Sequence, residues 1–385
     1  MSTPSQPSSP KRGGHLAPLD GLRGIAILLV MFHHFQIVPQ GEGLQAALYN
    51  LSMFGPHGVD LFFVLSGFLI TGILLDSRGH IHYFRNFYIR RTLRIFPLYY
   101  AVVFLCVVVL PRIPILQPER MSTVSVDWPW YLGYVSNFLV AKTQSWRHPI
   151  LGVTWSLAIE EQFYLIWAGV VFLLVPRRLR NLSLGLIAFS AAARITLLAM
   201  GAGWMQVYVL TPCRFDAIAL GAYIAATWRE PDCWWQGSAA RGIVRWVAYL
   251  GTPVALLLYA LAIAQYDRPR TMIFGYTPIA ILFGSWLCTS LSLPNTSPVN
   301  RLLGSSFLRF FGKYSYAIYL FHLPIRAVIR DTLFHSSRIG AILPNDIVKQ
   351  MVFYVVATAA VAPAALLSWN VLEKPLLALK ERFPS

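Results

Sequence analysis

Ten stretches of mostly apolar residues divide the chain, at roughly 20–38, 57–75, 96–111, 153–175, 182–201, 207–227, 246–265, 273–291, 308–331 and 348–372. Each is near the ~20 residues that a bilayer core requires, so the pattern predicts transmembrane helices. A shorter apolar stretch at 129–141, preceded by Trp128, predicts an interfacial or re-entrant segment. Trp128 and Trp130 suit the headgroup belt there. The expected fold is all-α: a polytopic bundle of about ten transmembrane helices. Residues 1–18, rich in Ser and Pro and carrying Lys11 and Arg12, are expected to form a disordered cytoplasmic tail. The transmembrane domain is expected over 19–375 and a short cytoplasmic tail over 376–385.

Composition supports one membrane domain rather than several soluble ones. Hydrophobic residues make up 56% of the chain and charged residues 12%, with a mean hydropathy of +0.55. Soluble domains carry about twice that charged fraction. The net charge of +16 lies between apolar runs and not along one soluble face, so it argues for membrane topology and against nucleic acid. With the N-terminus inside, the inner segments carry eighteen Lys and Arg and the outer segments seven. Both termini are therefore expected in the cytoplasm. The first apolar stretch holds Arg23, His33 and His34 with no small-residue cleavage site close behind, so it reads as a retained helix. Cys106, Cys213, Cys233 and Cys288 have neither zinc spacing nor a disulfide framework, and no metal is expected.

Charged residues inside spans are expensive, roughly 2.5–3.5 kcal/mol each at a helix centre, and this chain has many. Arg23 and His34 are eleven residues apart. On a helix that separates them by ~16 Å along the axis and only ~20° around it. Further candidates are Asp60, Glu160, Glu161, Arg194, Arg214, Asp216, Lys313, His322, Arg326 and Arg330, with Arg90, Arg91 and Arg94 clustered at the inner face. Together they predict a polar cavity crossing the membrane, basic at its cytoplasmic mouth and suited to an anionic ligand. Several have plainer explanations. The arginines from Arg85 to Arg94 set topology, Glu161 snorkels, Arg326 and Arg330 anchor to headgroups, and Asp60 complements a helix dipole. His57 and His148 read as ordinary loop residues, and Ser66-Gly67 with Thr71 as a small-residue packing face. The HxxxxD match at His15 to Asp20 is of the kind expected by chance. No P-loop, HExxH, GxSxG or complete GxGxxG occurs.

Six stretches in order carry a family resemblance. They are Arg23 with His34; Gly58-Val59-Asp60-Leu61-Phe62-Phe63-Val64-Leu65-Ser66-Gly67-Phe68; Arg91-Thr92-Leu93-Arg94-Ile95-Phe96-Pro97; Thr154 through Tyr164; Ser315 through His322; and Glu373-Lys374-Pro375. The chain resembles the acyltransferase-3 family of polytopic membrane O-acyltransferases, in its standalone form without an SGNH-type hydrolase domain. The resemblance implies transfer of an acyl group, by default acetyl, from acyl-CoA to a sugar or glycoconjugate hydroxyl. It implies the bacterial inner membrane and no bound cofactor. Arginine forks bind phosphate bidentately, so Arg23, Arg90, Arg91 and Arg94 are the expected CoA site. His34 is the expected general base, since imidazole alone titrates near neutrality. Glu160 or Asp60 would orient it. Arg214 is the expected oxyanion or acceptor contact, and Asp216 and His322 are expected in the same cavity. A transporter or flippase is the alternative. A second class of membrane O-acyltransferases, with His322 as its deep histidine, is a third reading.

Overall fold

The computed structural model describes residues 17–112, 124–230, 233–334 and 343–383. Every regular element among them is helical. A bilayer offers no water to unpaired backbone groups, so a chain this apolar satisfies them within helices. In chain order these are α1 (Ala17–His34), α2 (Gly43–Ser52), α3 (Gly58–Asp76), α4 (Tyr83–Phe104), α5 (Val124–Leu132), α6 (Ser136–Thr143), α7 (Thr154–Leu173), α8 (Pro176–Ala199) and α9 (Trp204–Val209). They continue as α10 (Phe215–Trp228), α11 (Ser238–Ala260), α12 (Pro269–Phe274), α13 (Tyr276–Ser292), α14 (Pro298–Leu303), α15 (Ser306–Lys313), α16 (Ser315–Ile329), α17 (Asp346–Ser368) and α18 (Lys374–Ala378). Most of the expected N-terminal tail lies outside the described residues.

A helix occupies each of the ten apolar stretches, yet among the described residues only six segments are long and apolar enough to cross a membrane. These are Gly43–Asp76, Tyr83–Val109, Thr154–Leu173, Pro176–Ala199, Ser238–Ala260 and Asp346–Arg382. The other four stretches form α1, α10, α13 and α16, of 18, 14, 17 and 15 residues. Two expected spans are broken. In the 207–227 stretch, Pro212 and a 3-10 turn over Thr211–Arg214 separate α9 from α10, because proline lacks the N–H that a continuing helix needs. The carbonyls freed there find side chains: Asn137 donates to Val209 O at 3.3 Å and Arg194 to Cys213 O at 2.6 Å. The 308–331 stretch divides at Tyr314 into α15 and α16. The expected 129–141 segment becomes α5 and α6, meeting near Tyr134 at φ 52°.

Burial separates a tightly packed centre from an exposed rim. In Gly43–Asp76, 72% of the apolar window is buried, against 17% for α8 and 11% for α11. The central backbones nearly touch. A Cβ on Gly67 would run into the Ile218 carbonyl, and one on Gly221 into the Val64 carbonyl, so α3 and α10 cross in contact. Gly21 and Gly24 of α1 similarly admit the carbonyls of Leu303 and Leu308. The seating of α1 against α15 and α16 brings its polar face to the interior.

Candidate active site

Helix α1 delivers a cation near one end and an imidazole at the other. Arg23 is paired with Asp20, one turn earlier, at 3.2 Å, and faces a cavity of about 120 Å³. The α7 wall of that cavity is Leu157, Glu160, Glu161 and Tyr164, one helical face by spacing. Helix α4 adds Arg91 and Arg94, α3 adds Ser66, and α16 adds Tyr316 and Tyr319. The hydroxyls of Ser66 and Tyr164 are hydrogen-bonded to each other. Tyr316 donates to Ile95 O at 2.7 Å, and Tyr319 meets Ser156 Oγ at 2.6 Å. The walls are thus tied to the surrounding helices. Three guanidinium groups and two carboxylates converge on one hollow.

Arg90 does not join them. One residue before Arg91 it points about 100° away; it donates to Phe383 O at 3.0 Å and lines a small neighbouring hollow with Tyr83 and Asn86, which Arg91 also borders.

His34 lines a second cavity, about 430 Å³, with His33, Gln36, Tyr49, Ser52 and Arg326 among its walls. His34 Nδ1 lies 2.9 Å from His322 Nε2, and His322 Nδ1 lies 2.7 Å from Tyr319 O and 3.2 Å from Ile318 O. No described residue lines both cavities. Between them rings follow one another: Phe62 to Tyr319 at 6.2 Å, Tyr319 to His322 at 5.6 Å, His322 to His34 at 5.0 Å. The single crossing pocket expected from the sequence is therefore two chambers, because α16 sets Tyr319 and His322 between the ends of α1. The partner of the His34 imidazole is His322, not Asp60 or Glu160. Glu160 belongs to the arginine chamber.

Asp60, Arg214 and Asp216 line neither chamber. They form a buried polar knot at 2%, 1% and 2% exposure. Arg214 Nη2 donates to Asp60 Oδ1 at 2.6 Å, and His57 Nδ1 donates to Asp60 Oδ2 at 2.7 Å. The Arg214 guanidinium also lies over Tyr276, Tyr208, Trp155 and Phe63, at 4.7 to 5.9 Å. Arg194 holds Asp216 at 2.9 Å, with Thr277 bonded to both. Each charge meets its opposite, as burial demands. Asp60, expected to orient His34, Arg214, expected at the oxyanion or acceptor, and Asp216, expected in the same cavity, are instead paired with one another and with Arg194 and His57 outside both chambers.

Arg326 is the guanidinium beside His34. Its Nη2 donates to Gln36 O at 3.1 Å while its Nε is buried without a hydrogen-bond partner among the described residues. The sequence reading placed it among headgroup anchors, yet it follows His322 by four positions and so shares its face. Tyr164 stands in the same relation to Glu160. Helical spacing from an accepted candidate was the signal for both.

Chemically, one chamber suits a polyanion and the other a proton acceptor beside a cation. A family model described as an acyltransferase domain matches residues 16–369. The chain is 30% identical over 381 residues to a peptidoglycan O-acetyltransferase of Listeria monocytogenes, covering 94% of this chain and 56% of that one. It is 29% identical over 375 residues to a Bacillus subtilis protein provisionally named for the same activity, covering 94% and 55%. A Staphylococcus aureus protein provisionally named an O-acetyltransferase is 27% identical over 334 residues, covering 83% and 52%. The chain spans about half the length of these relatives. No solved structure matches it.

Proposed function

The chain belongs to the acyltransferase-3 family, and from that premise we propose that it is a membrane O-acetyltransferase. It takes the acetyl group from acetyl-CoA and delivers it to a hydroxyl of an envelope glycan or glycoconjugate. The observation that carries the reading is the division of labour along α1: Arg23 faces a chamber of guanidinium groups, and His34 faces an open chamber one helix-length away.

Arg23, Arg91 and Arg94 bind the phosphates of the CoA head through charge-assisted, bidentate hydrogen bonds. The excess of basic residues on the inner segments supports a cytoplasmic position for that chamber, where acetyl-CoA is found. The pantetheine arm then spans the ~16 Å rise between Arg23 and His34. To reach His34 it displaces the Tyr319 and Phe62 rings, so the resting state keeps water-accessible acceptor space apart from the thioester. His34 Nε2 removes the acceptor hydroxyl proton as the oxygen attacks the acetyl carbonyl. The new C–O bond forms, the C–S bond breaks, and the proton passes from His34 to the departing CoA thiolate. Arg326, rather than Arg214, supplies positive charge beside the tetrahedral oxyanion. The names of the Listeria and Bacillus relatives support a glycan acceptor, peptidoglycan among them.

Mass spectrometry of envelope glycans tests this in bacterial cells carrying the wild-type gene, a His34→Ala gene, or none. Acetyl esters are expected in the first and absent from the other two. Equal ester content in wild-type and His34→Ala cells rejects the assignment.

A further inference from the structure

We propose that His322 is a positioning residue for the transfer: it fixes His34 as the Nδ1–H tautomer and so turns an Nε2 lone pair toward the chamber. The proposal rests on His34 being the base.

The assignment comes from counting protons. A ring nitrogen that faces a carbonyl oxygen at hydrogen-bond distance carries the hydrogen. His322 Nδ1 faces Tyr319 O at 2.7 Å, with Ile318 O at 3.2 Å, so Nδ1 is its donor. A neutral imidazole has one N–H, which leaves Nε2 of His322 as an acceptor. The atom it accepts from is His34 Nδ1, at 2.9 Å. Neutral His34 then has its own proton on Nδ1 and its lone pair on Nε2. That Nε2 makes no hydrogen bond among the described residues, while the His34 side chain lines the open chamber.

Among the described residues no other group competes for the role. Asp60 already accepts from Arg214 and His57, one on each oxygen. Glu160 lines the other chamber. His33, next to His34 with ring centroids 5.4 Å apart, makes no hydrogen bond to it. The result is a carbonyl–imidazole–imidazole relay in which the carboxylate of a serine-protease triad is replaced by an uncharged pair. A carboxylate at that depth would need its own cation; His322, fully buried, needs only the backbone of its own helix turn. Once His34 Nε2 takes the acceptor proton, the imidazolium keeps its Nδ1–H on His322 as a charge-assisted bond.

The test uses full-length protein in detergent, assayed with acetyl-CoA and an envelope glycan fraction that the wild type acetylates. His322→Leu removes the acceptor nitrogen. His322→Gln puts an amide oxygen near the position of Nε2. The leucine variant is expected to lose roughly 10²–10⁴-fold in kcat, the range seen when a base loses its orienting partner, with KM for acetyl-CoA unchanged. The glutamine variant is expected to recover most of the loss. Wild-type kcat in His322→Leu overturns the proposal, and so does an equal loss in both variants with intact melting transitions. If His322→Leu does not fold, His322→Gln decides alone: near-wild-type kcat supports the relay, and a folded, inactive protein overturns it. Loss of activity in His34→Ala with full activity in His322→Leu would reject the relay and leave the proposed function standing. A wild type that transfers nothing would reject the function itself.

Discussion

The arginine chamber and the histidine chamber sit along the same helix and are built by opposite rules. The first gathers charge of both signs on long side chains: Arg23, Arg91 and Arg94 against Glu160 and Glu161. Its hydroxyls are tied to one another and to backbone, so its shape is set while the guanidinium heads line the hollow, with one nitrogen of Arg23 on Asp20. Among the described residues the second holds two imidazoles and one arginine and has no carboxylate in its wall. A site for a tightly bound polyanion gains from fixed cations. A site for proton transfer gains from a group that changes charge, held in one tautomer. On the proposed function, the difference marks where binding energy and chemistry divide, with the septum of Tyr319 and His322 between them.

Breaking the histidine side should leave the arginine side intact. His34→Ala is expected to lower kcat for acetyl transfer by roughly 10²–10⁴-fold while acetyl-CoA affinity, read by calorimetry in detergent, stays at the wild-type value. A parallel loss of affinity would mean that the two chambers are one site.

The polar knot provides the contrast to both. Asp60→Ala strands Arg214 in a protein interior at 1% exposure, and removing one partner of a buried pair costs roughly 3–5 kcal/mol. A large drop in melting temperature is expected, with Asp60→Asn milder. A stable Asp60→Ala protein with normal melting and no transfer would return Asp60 to the catalytic site.

Arg91→Ala attacks the opposite chamber. One charge-assisted hydrogen bond is worth roughly 1.5–3 kcal/mol, or roughly 10–100-fold in Kd for acetyl-CoA. At saturating donor, kcat should match the wild type. A fall in kcat with unchanged Kd would place Arg91 in the chemistry instead of in binding.

The sequence made the helices legible, because apolar length is a local property, and it put Arg23 and His34 on one helix, but the septum that sets them in two chambers was not visible in it. His34, singled out from the sequence, lines the larger of the two chambers. Long-range pairings were hidden. Nothing local says that Arg214 turns to Asp60, 154 positions away, or that His322 arrives beside His34 from 288 positions downstream. Nor does hydropathy reveal that Pro212 and Tyr314 break two spans. Those breaks leave α10 and α16 at 14 and 15 residues, short elements that the rim of longer helices can enclose.

Arg90 gives the smallest expected effect and the finest test of the contrast. The sequence grouped it with Arg91 and Arg94 because all three fall within five residues of one another. The structure separates them by rotation: Arg91 and Arg94, three positions apart, share a face, and Arg90 turns away to donate to Phe383 O at 3.0 Å. That bond is partly solvated, and contacts of this kind contribute roughly 0–1 kcal/mol. Arg90→Ala should therefore change acetyl-CoA Kd by less than about threefold and shift the melting temperature slightly, through the looser C-terminal segment. If instead Arg90→Ala weakens acetyl-CoA as much as Arg91→Ala does, the phosphates are held by the whole basic surface of α4. The arginine chamber would then be the mouth of a wider electrostatic site, with the head group lying across α4 outside it.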